Sequence, residues 1–308
     1  MIKIIGGCLM CCLIAMTAVA AGTKLDTAKI EQITGMKGNF NQKENVFKVS
    51  MPRADVQVSV DGWTMPPFMG LGPWAAFTPH HGSMVMVMGD MVLFQDEVNP
   101  AMSAALNSGL SVTALHNHFF FDEPKVYFMH IEGEGAVEKL ATGVRAIFDT
   151  VKEIRAKNAQ PATVFPGERI PVQSSISAKP LQDIFGIPGQ LNNGMFKAVF
   201  GRTTKMNGTT VGNEMGVNTW AAFAGSDDNA VVDGDFAMYE SELQTVLRAM
   251  RNGGINIVAI HHHMSDEKPK FLFLHYWGRG NAEDLARTLH SAMESQRAGS
   301  KRKSGHGG

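Results

Sequence analysis

Residues 115–130, LHNHFFFDEPKVYFMH, return as residues 260–275, IHHHMSDEKPKFLFLH. His116, Pro124 and His130 reappear as His261, Pro269 and His275, all at an offset of 145 residues. Gly133-x-Gly135 and Gly89-Asp90 return as Gly278-x-Gly280 and Gly234-Asp235 at the same offset. Further out, Trp74-Ala75-Ala76-Phe77 matches Trp220-Ala221-Ala222-Phe223 after a one-residue slip. Val46-Phe47-Lys48-Val49 with Arg53 matches Met195-Phe196-Lys197-Ala198 with Arg202, and Gly35-x-x-Gly38 matches Gly186-x-x-Gly189. Motifs this dispersed mark a duplicated domain. Two copies are too few for a solenoid or propeller, so the expectation is two tandem homologous domains about a pseudo-twofold axis.

One copy reads as α+β. Residues 26–34 read as a short helix ending at Gly35, and Val46–Ser50 and Val56–Val60 alternate like strands before a turn at Asp61-Gly62. Trp74–Thr78 and Met84–Phe94 read as further strands, and Glu97–Asn107 as a helix. Leu110–His118 and Lys125–Glu132 form a strand pair around Pro124. Val137, Leu140, Val144, Ile147 and Val151 recur at helical spacing. Antiparallel strands interspersed with helices imply a mainly antiparallel sheet with its helices on one face. The divisions are 1–20 signal peptide, 21–157 first domain, 158–180 linker, 181–296 second domain and 297–308 disordered basic tail. Pro161, Pro166, Pro171 and Pro180 define the linker, since proline interrupts helices.

The chain has 308 residues, 44% of them hydrophobic and 19% charged, which is a globular composition. A formal net charge of −1 argues against a dominant nucleic-acid surface. Lys3, the apolar run Ile4–Thr17 and the small residues Ala18-Val19-Ala20 read as a secretory signal, which predicts a periplasmic or secreted protein. The three cysteines, Cys8, Cys11 and Cys12, lie inside that run and leave with it. Disulfides, thiolate metal sites and a cysteine nucleophile are thereby excluded from the mature protein. No second apolar run of membrane-spanning length follows.

The runs VFKVSMPRADVQVSVDG (46–62), GDMVLFQDEVNP (89–100) and VTALHNHFFFDEPKVYFMHIEGEG (112–135) resemble the LppY/LpqO-type family of exported bacterial proteins. The resemblance covers nearly all of the first copy and continues more weakly through the second. It implies export and a duplicated α/β domain of unknown function, and supplies no reaction. The chain departs from that pattern at His262, where the first copy has Asn117, and in a cysteine-bearing signal without a good lipid-attachment site.

Of eleven histidines, seven lie in the two matching segments. Residues i and i+2 of a strand share a face, so His116 pairs with His118 and His261 with His263, whereas His262 faces away. A hairpin centred on Pro124 puts His118 opposite His130, and one centred on Pro269 puts His263 opposite His275. Opposed Cβ atoms lie about 5 Å apart and diagonal ones about 7–8 Å. The predicted metal ligands are therefore His116, His118 and His130 in one copy and His261, His263 and His275 in the other. Leu110, Val112, Ala114, Val126 and Phe128 precede the first set on the same predicted face, and Ile255, Ile257, Ala259, Phe271 and Phe273 the second. Three imidazoles with an open position suit Zn²⁺ or Cu²⁺. Histidines that merely order a hairpin are the structural alternative.

Asp90 with Asp235, and Glu97 with Glu242, are candidate partners. Gly-Asp reads first as a strand turn, and Glu97 as a residue of a helix's first turn. Arg53 and Arg202 read as surface ion pairs that could instead hold an anion. Met84, Met86 and Met88 alternate and Met91 follows, inviting a copper reading. The stripe is not duplicated, however, so core filling is the expectation. Trp74 and Trp220 read as core or pocket floor. No nucleophile elbow, P-loop, H-E-x-x-H or dinucleotide fingerprint is present, so no nucleotide cofactor is expected.

Three functions follow: an exported protein binding a divalent metal or small ligand, a non-catalytic envelope-interaction module with structural histidines, and a metal-independent hydrolase or lyase with His as general base. Metal content separates the first from the others. A second carboxylate within hydrogen-bond reach of His118 or His263 would mark the third.

Overall fold

A computed structural model of the chain describes residues 25–303. The signal sequence lies outside the described residues, as do the last five of the tail. The first half runs α1 (Thr27–Thr34), β1 (Gly38–Asn41), β2 (Val46–Ser50), β3 (Ser59–Val60), β4 (Trp63–Thr64), β5 (Trp74–Pro79), β6 (Val85–Phe94), α2 (Gln95–Asn107), β7 (Ser111–His116), β8 (Asp122–Glu123), β9 (Val126–Gly135) and α3 (Val137–Lys157). The second half runs α4 (Ala178–Phe185), β10 (Gln190–Asn192), β11 (Met195–Gly201), β12 (Thr204–Met206), β13 (Thr209–Val211), β14 (Asn218–Gly225), β15 (Ala230–Tyr239), α5 (Leu243–Asn252), β16 (Asn256–His261), β17 (Glu267–Lys268), β18 (Phe271–Gly280) and α6 (Ala282–Lys303). The same twelve elements thus occur twice in the same order.

The halves share one sheet of twelve strands, ordered β1-β2-β5-β6-β9-β7-β16-β18-β15-β14-β11-β10. That order maps onto itself when the halves are exchanged, so the pseudo-twofold axis passes between β7 and β16. These strands pair antiparallel at Leu115↔Ile260. Apolar residues of all six helices and one sheet face form a single core spanning both halves, including Ile30, Leu140, Leu115, Leu181, Ile260 and Leu285. Every helix buries its apolar stripe on that face. On the opposite face lie two three-stranded sheets, β4-β3-β8 and β13-β12-β17, each over a smaller apolar cluster.

Several expectations need correction. Val56 and Val58 are buried, but only Ser59–Val60 of that segment is a strand, and it joins the small sheet. Pro180 does not end a helix. It sits in the first turn of α4, where a missing N–H costs nothing, so the second half begins inside the predicted linker. The predicted disordered tail is helical as far as Lys303. Gly89 and Gly234 stand inside β6 and β15, not in turns. A Cβ on Gly234 would lie 2.2 Å from both the Trp220 carbonyl and the Tyr276 hydroxyl, so close packing requires glycine there.

Arg53 is buried, not a surface residue. Its guanidinium grips buried Glu97 at 2.7 and 2.9 Å and donates to the Val92 carbonyl. Glu97 stands in the first turn of α2 as expected, and accepts from the Phe94 N–H. Arg202 repeats the arrangement with Glu242 at 2.9 Å.

The two halves also hold each other through side-chain amides. β7 and β16 each carry an extra residue, between Val112 and Ala114 and between Ile257 and Ala259. Asn99 of α2 accepts from the Ile257 N–H at 2.8 Å and donates to its carbonyl at 3.1 Å. Gln244 of α5, the residue equivalent to Asn99, does the same for Val112 at 3.0 and 2.7 Å. Each half therefore satisfies the irregular strand of the other. Asn99→Ala strands two buried peptide groups and should cost about 1–3 kcal/mol, read from urea unfolding. Because the core is continuous, circular dichroism and tryptophan fluorescence should report one shared transition. Two separated transitions would contradict the shared core.

Candidate functional site

The helix-free face of the sheet carries the histidines. Cross-strand register lays out one row as Trp74, Asp90, His130 and Ala114, on β5, β6, β9 and β7. In the second half the corresponding row is Trp220, Asp235, His275 and Ala259, on β14, β15, β18 and β16. His116 lies opposite Phe128, and His261 opposite Phe273. The expected pairings of His118 with His130 and His263 with His275 are therefore not formed, because Ala114 and Ala259 occupy those places. The loop after His116 is longer than a turn about Pro124 and contains β8. The extra residue in each strand also changes parity: Val112 and Ile257 belong to the helix-side core. The apolar surface beside the histidines is formed instead by Val126 and Phe128 with Val56 and Val58, and by Phe271 and Phe273 with Val211 and Val217.

The histidines converge nonetheless. His118 stacks on Phe128 with ring centres 3.3 Å apart, and its ring lies 5.1 Å from that of His116. His130 Nε2 is 3.2 Å from His116 Nε2 and 4.0 Å from Asp90 Oδ1. In the second half His263 stacks on Phe273 at 3.6 Å, and the His261 and His275 rings are 4.7 Å apart. His263 Nε2 lies 3.1 Å from Asp235 Oδ2, and His261 Nε2 lies 4.0 Å from Asp235 Oδ1. His262 points away as expected, its Nδ1–H donating to the Phe271 carbonyl at 3.2 Å. Asn117 does the same job for Val126 at 3.0 Å, which accounts for the exchange of Asn117 for His262 between the two copies.

Asp235, His261 and His263 offer ligand atoms within 4.8 Å of one another, a group that could hold a metal. Asp235 is 6% exposed at its side chain, His261 29% and His263 32%, so a buried carboxylate meets imidazoles open to solvent. His263 Nδ1 faces the Gly216 carbonyl at 3.2 Å and His275 Nδ1 the Gly234 carbonyl at 3.3 Å. A carbonyl only accepts, so each Nδ1 carries the proton and each Nε2 is a lone pair in the neutral ring. Asp235 Oδ1 and His261 Nε2 are buried and make no hydrogen bond to any described residue. The first half matches in part: Asp90 Oδ1 is likewise buried without a partner.

Burial pushes the Asp235 carboxyl above the usual carboxylate range, against the pull of His263, His275 and His261. Burial raises Asp90 in the same way, opposed by His130, His118, His116 and Lys48. Burial also holds His261 and His118 below the usual imidazole value. Both effects favour neutral groups; a bound cation would bring the carboxyl back down and press the imidazoles lower still.

Asp90 and Asp235 are the participants that sequence reasoning read first as turn residues. Their signal was position: each sits at the same spacing before its histidines. Trp74 and Trp220 flank them, with Lys48 Nζ 4.1 Å and Lys197 Nζ 4.2 Å over the rings. A cavity of about 420 Å³ adjoins His275, bounded by Tyr127, Phe165, Val258 and Trp277.

The chain belongs to the family described as Domain of Unknown Function (DUF1259), which matches residues 28–150 and again 179–295. No curated protein matches the chain. Two solved structures show faint similarity. One is the trimeric bacterial microcompartment shell protein PduB, at 9% identity and a TM-score of 0.19 over 88% of this chain and 93% of that one. The other is the double-ringed trimeric shell protein MSM0271 from the RMM microcompartment, at 9% identity and a TM-score of 0.21 over 72% and 85%. Scores this low carry no argument about fold or function. Among the described residues, no helix is long and apolar enough to cross a membrane.

The raised Asp235 carboxyl predicts a stability trade. A folded-state value above the unfolded one penalises the charged form at neutral pH, and the penalty fades as pH falls through the carboxylate range. Asp235→Asn should therefore raise the Tm of metal-free protein at pH 7 by about 2–4 °C, the shift that roughly 1 kcal/mol gives in a chain of this size. The gain should shrink toward pH 4 in calorimetry. A lower Tm at pH 7 would show the carboxylate to be stabilising as it stands.

Proposed function

We propose that the protein is an exported metal-binding protein whose Asp235, His261 and His263 hold a divalent ion, Zn²⁺ or Cu²⁺, with His275 beside them. The observation that carries this reading is the contact of His263 Nε2 with Asp235 Oδ2 at 3.1 Å, while Nδ1 of the same ring is spent on the Gly216 carbonyl. A lone pair facing a carboxylate at that distance needs a proton or a metal ion between them, and the two histidines gathered on Asp235 favour the metal. Metal-binding histidines commonly donate their second ring N–H to a carbonyl in this way. The unpartnered Asp235 Oδ1 and His261 Nε2 fit the same ion. Three protein ligands leave a position open for water or a small molecule.

His263 with Asp235 also resembles an acid–base pair. In a metal-free general base, however, one ring nitrogen must remain to take the substrate proton, and both nitrogens of His263 are engaged. The metal reading therefore accounts for more of the geometry. Export rests on the Lys3 start, the apolar run and the Ala-x-Ala site, and agrees with the resemblance to the LppY/LpqO-type proteins.

Titration calorimetry of dialysed protein with Zn²⁺ and with Cu²⁺ tests the site. His263→Ala and Asp235→Ala should each weaken binding by at least about tenfold, whereas His262→Ala should leave it unchanged. Affinity should fall as pH drops through about 6.5, since imidazole ligands must be unprotonated. Burial keeps His261 neutral further into the acid range. Equal affinity of the Asp235→Ala and unsubstituted proteins would refute the site. Mature protein recovered from the envelope should begin at Ala21 by mass spectrometry.

A further inference from the structure

We propose that the first half carries a second site of different chemistry, a thioether–imidazole site for monovalent copper formed by Met86, Met88 and His80 on the open face of β6. The strand alternates Val85, Val87, Gly89 and Met91 inward with Met86, Met88 and Asp90 outward. Met88 is 54% exposed, Met84 at the strand's entry is 41% exposed, and Met86 is half-buried. None of the three belongs to an apolar core, so the core-filling role expected of them holds only for Met91. Single exposed methionines need no explanation, but Met86 and Met88 alternate on one strand face with Met84 just before it.

That face has nitrogen and oxygen groups along it. Met88 lies opposite Glu132, Met86 opposite Glu134, and Asp90 opposite His130. His80 follows β5, its N–H donating to the Met84 carbonyl, and its Nε2 stands 3.6 Å from Oε2 of Glu134, the residue opposite Met86. Side chains at i and i+2 start about 7 Å apart, and each methionine has three rotatable bonds, so both sulfur atoms can reach one ion. Thioethers select soft Cu(I) over Zn²⁺. The carboxylates of Asp90, Glu132 and Glu134 give the strip a negative field that attracts a cation.

The second half provides an internal control. Strand register puts Val231 and Asp233 where Met86 and Met88 stand, and Arg279 and Trp277 where Glu134 and Glu132 stand. The same scaffold therefore folds without methionine here, and with Arg279 and Trp277 in place of two carboxylates. The methionines are not demanded by the fold, and their neighbours differ in the direction a cation site requires. This site shares no residue with the Asp235 group, so either can fail alone.

The test uses the full chain under anaerobic conditions. Cu(I) is titrated in competition with a bathocuproine chelator, and Ag⁺, its redox-inert analogue, is added to protein carrying ¹³C-methyl methionine. The expected result is one bound ion and shifted methyl signals of Met86 and Met88. Met86→Leu with Met88→Leu, which keep volume nearly constant, should weaken Cu(I) binding by at least about tenfold. His80→Ala should also weaken it, and Zn²⁺ binding and circular dichroism of the double variant should not change. Methyl signals unmoved by Ag⁺ would overturn the proposal, as would unchanged Cu(I) affinity in the double variant or loss of Cu(I) binding in Asp235→Ala.

Discussion

The seam between β7 and β16 is the constraint on which the rest of the molecule depends. Two six-stranded halves become one sheet only there, around Leu115 and Ile260. On either side the strands part, because each carries an extra residue and each chain turns away after its first histidine. Parting exposes the peptide groups of Val112 and Ile257 inside the protein, and unpaired buried peptide groups are costly. The amides of Gln244 and Asn99 replace the missing strand, each supplied by the opposite half. The two halves are therefore more than neighbours: neither satisfies its own central strand.

The same seam explains where chemistry can occur. All six helices cover one face, so the other is open except over Phe128 and Phe273. Two other buried carboxylates are paired, Glu97 with Arg53 and Glu242 with Arg202, while Glu267 accepts the Phe271 N–H. Asp235 has no cationic side chain but imidazoles beside it, one of them 3.1 Å away with its lone pair forward. A buried charge without a formal partner is retained at a cost, and that cost is the expected mark of a site completed by a cation.

Much of this was legible in the sequence, because duplication and strand parity are periodic signals. The offset of 145 identified the repeat, the α+β order and the convergence of His116, His118 and His130 and of their counterparts. The extra residue in β7 and β16 was not legible, since Thr113 and Val258 look like ordinary strand residues, and it moved Ala114 opposite His130. Gly89-Asp90 and Gly234-Asp235 were misread because glycine usually marks a turn, whereas here Gly234 admits Tyr276 and the Trp220 carbonyl, and Gly89 the Trp74 carbonyl. Arg53 was misread because burial of an arginine depends on a carboxylate 44 residues away, and local pattern carries no trace of that.

Duplication also separates what the fold requires from what the halves have since acquired. Asn117 and His262 differ in chemistry yet bind the same strand carbonyl, so that difference is neutral to architecture. Met88 and Asp233 differ at one register position, as do Glu132 and Trp277, and no core contact compensates for either change. The open face diverges while the helix-covered face keeps its pattern. Side chains packed between sheet and helices are fixed by volume; those facing outward are limited only by strand geometry. Two copies of one scaffold can thus present a nitrogen–oxygen group on one side of the seam and a sulfur–nitrogen strip on the other, with no change in the backbone that positions them.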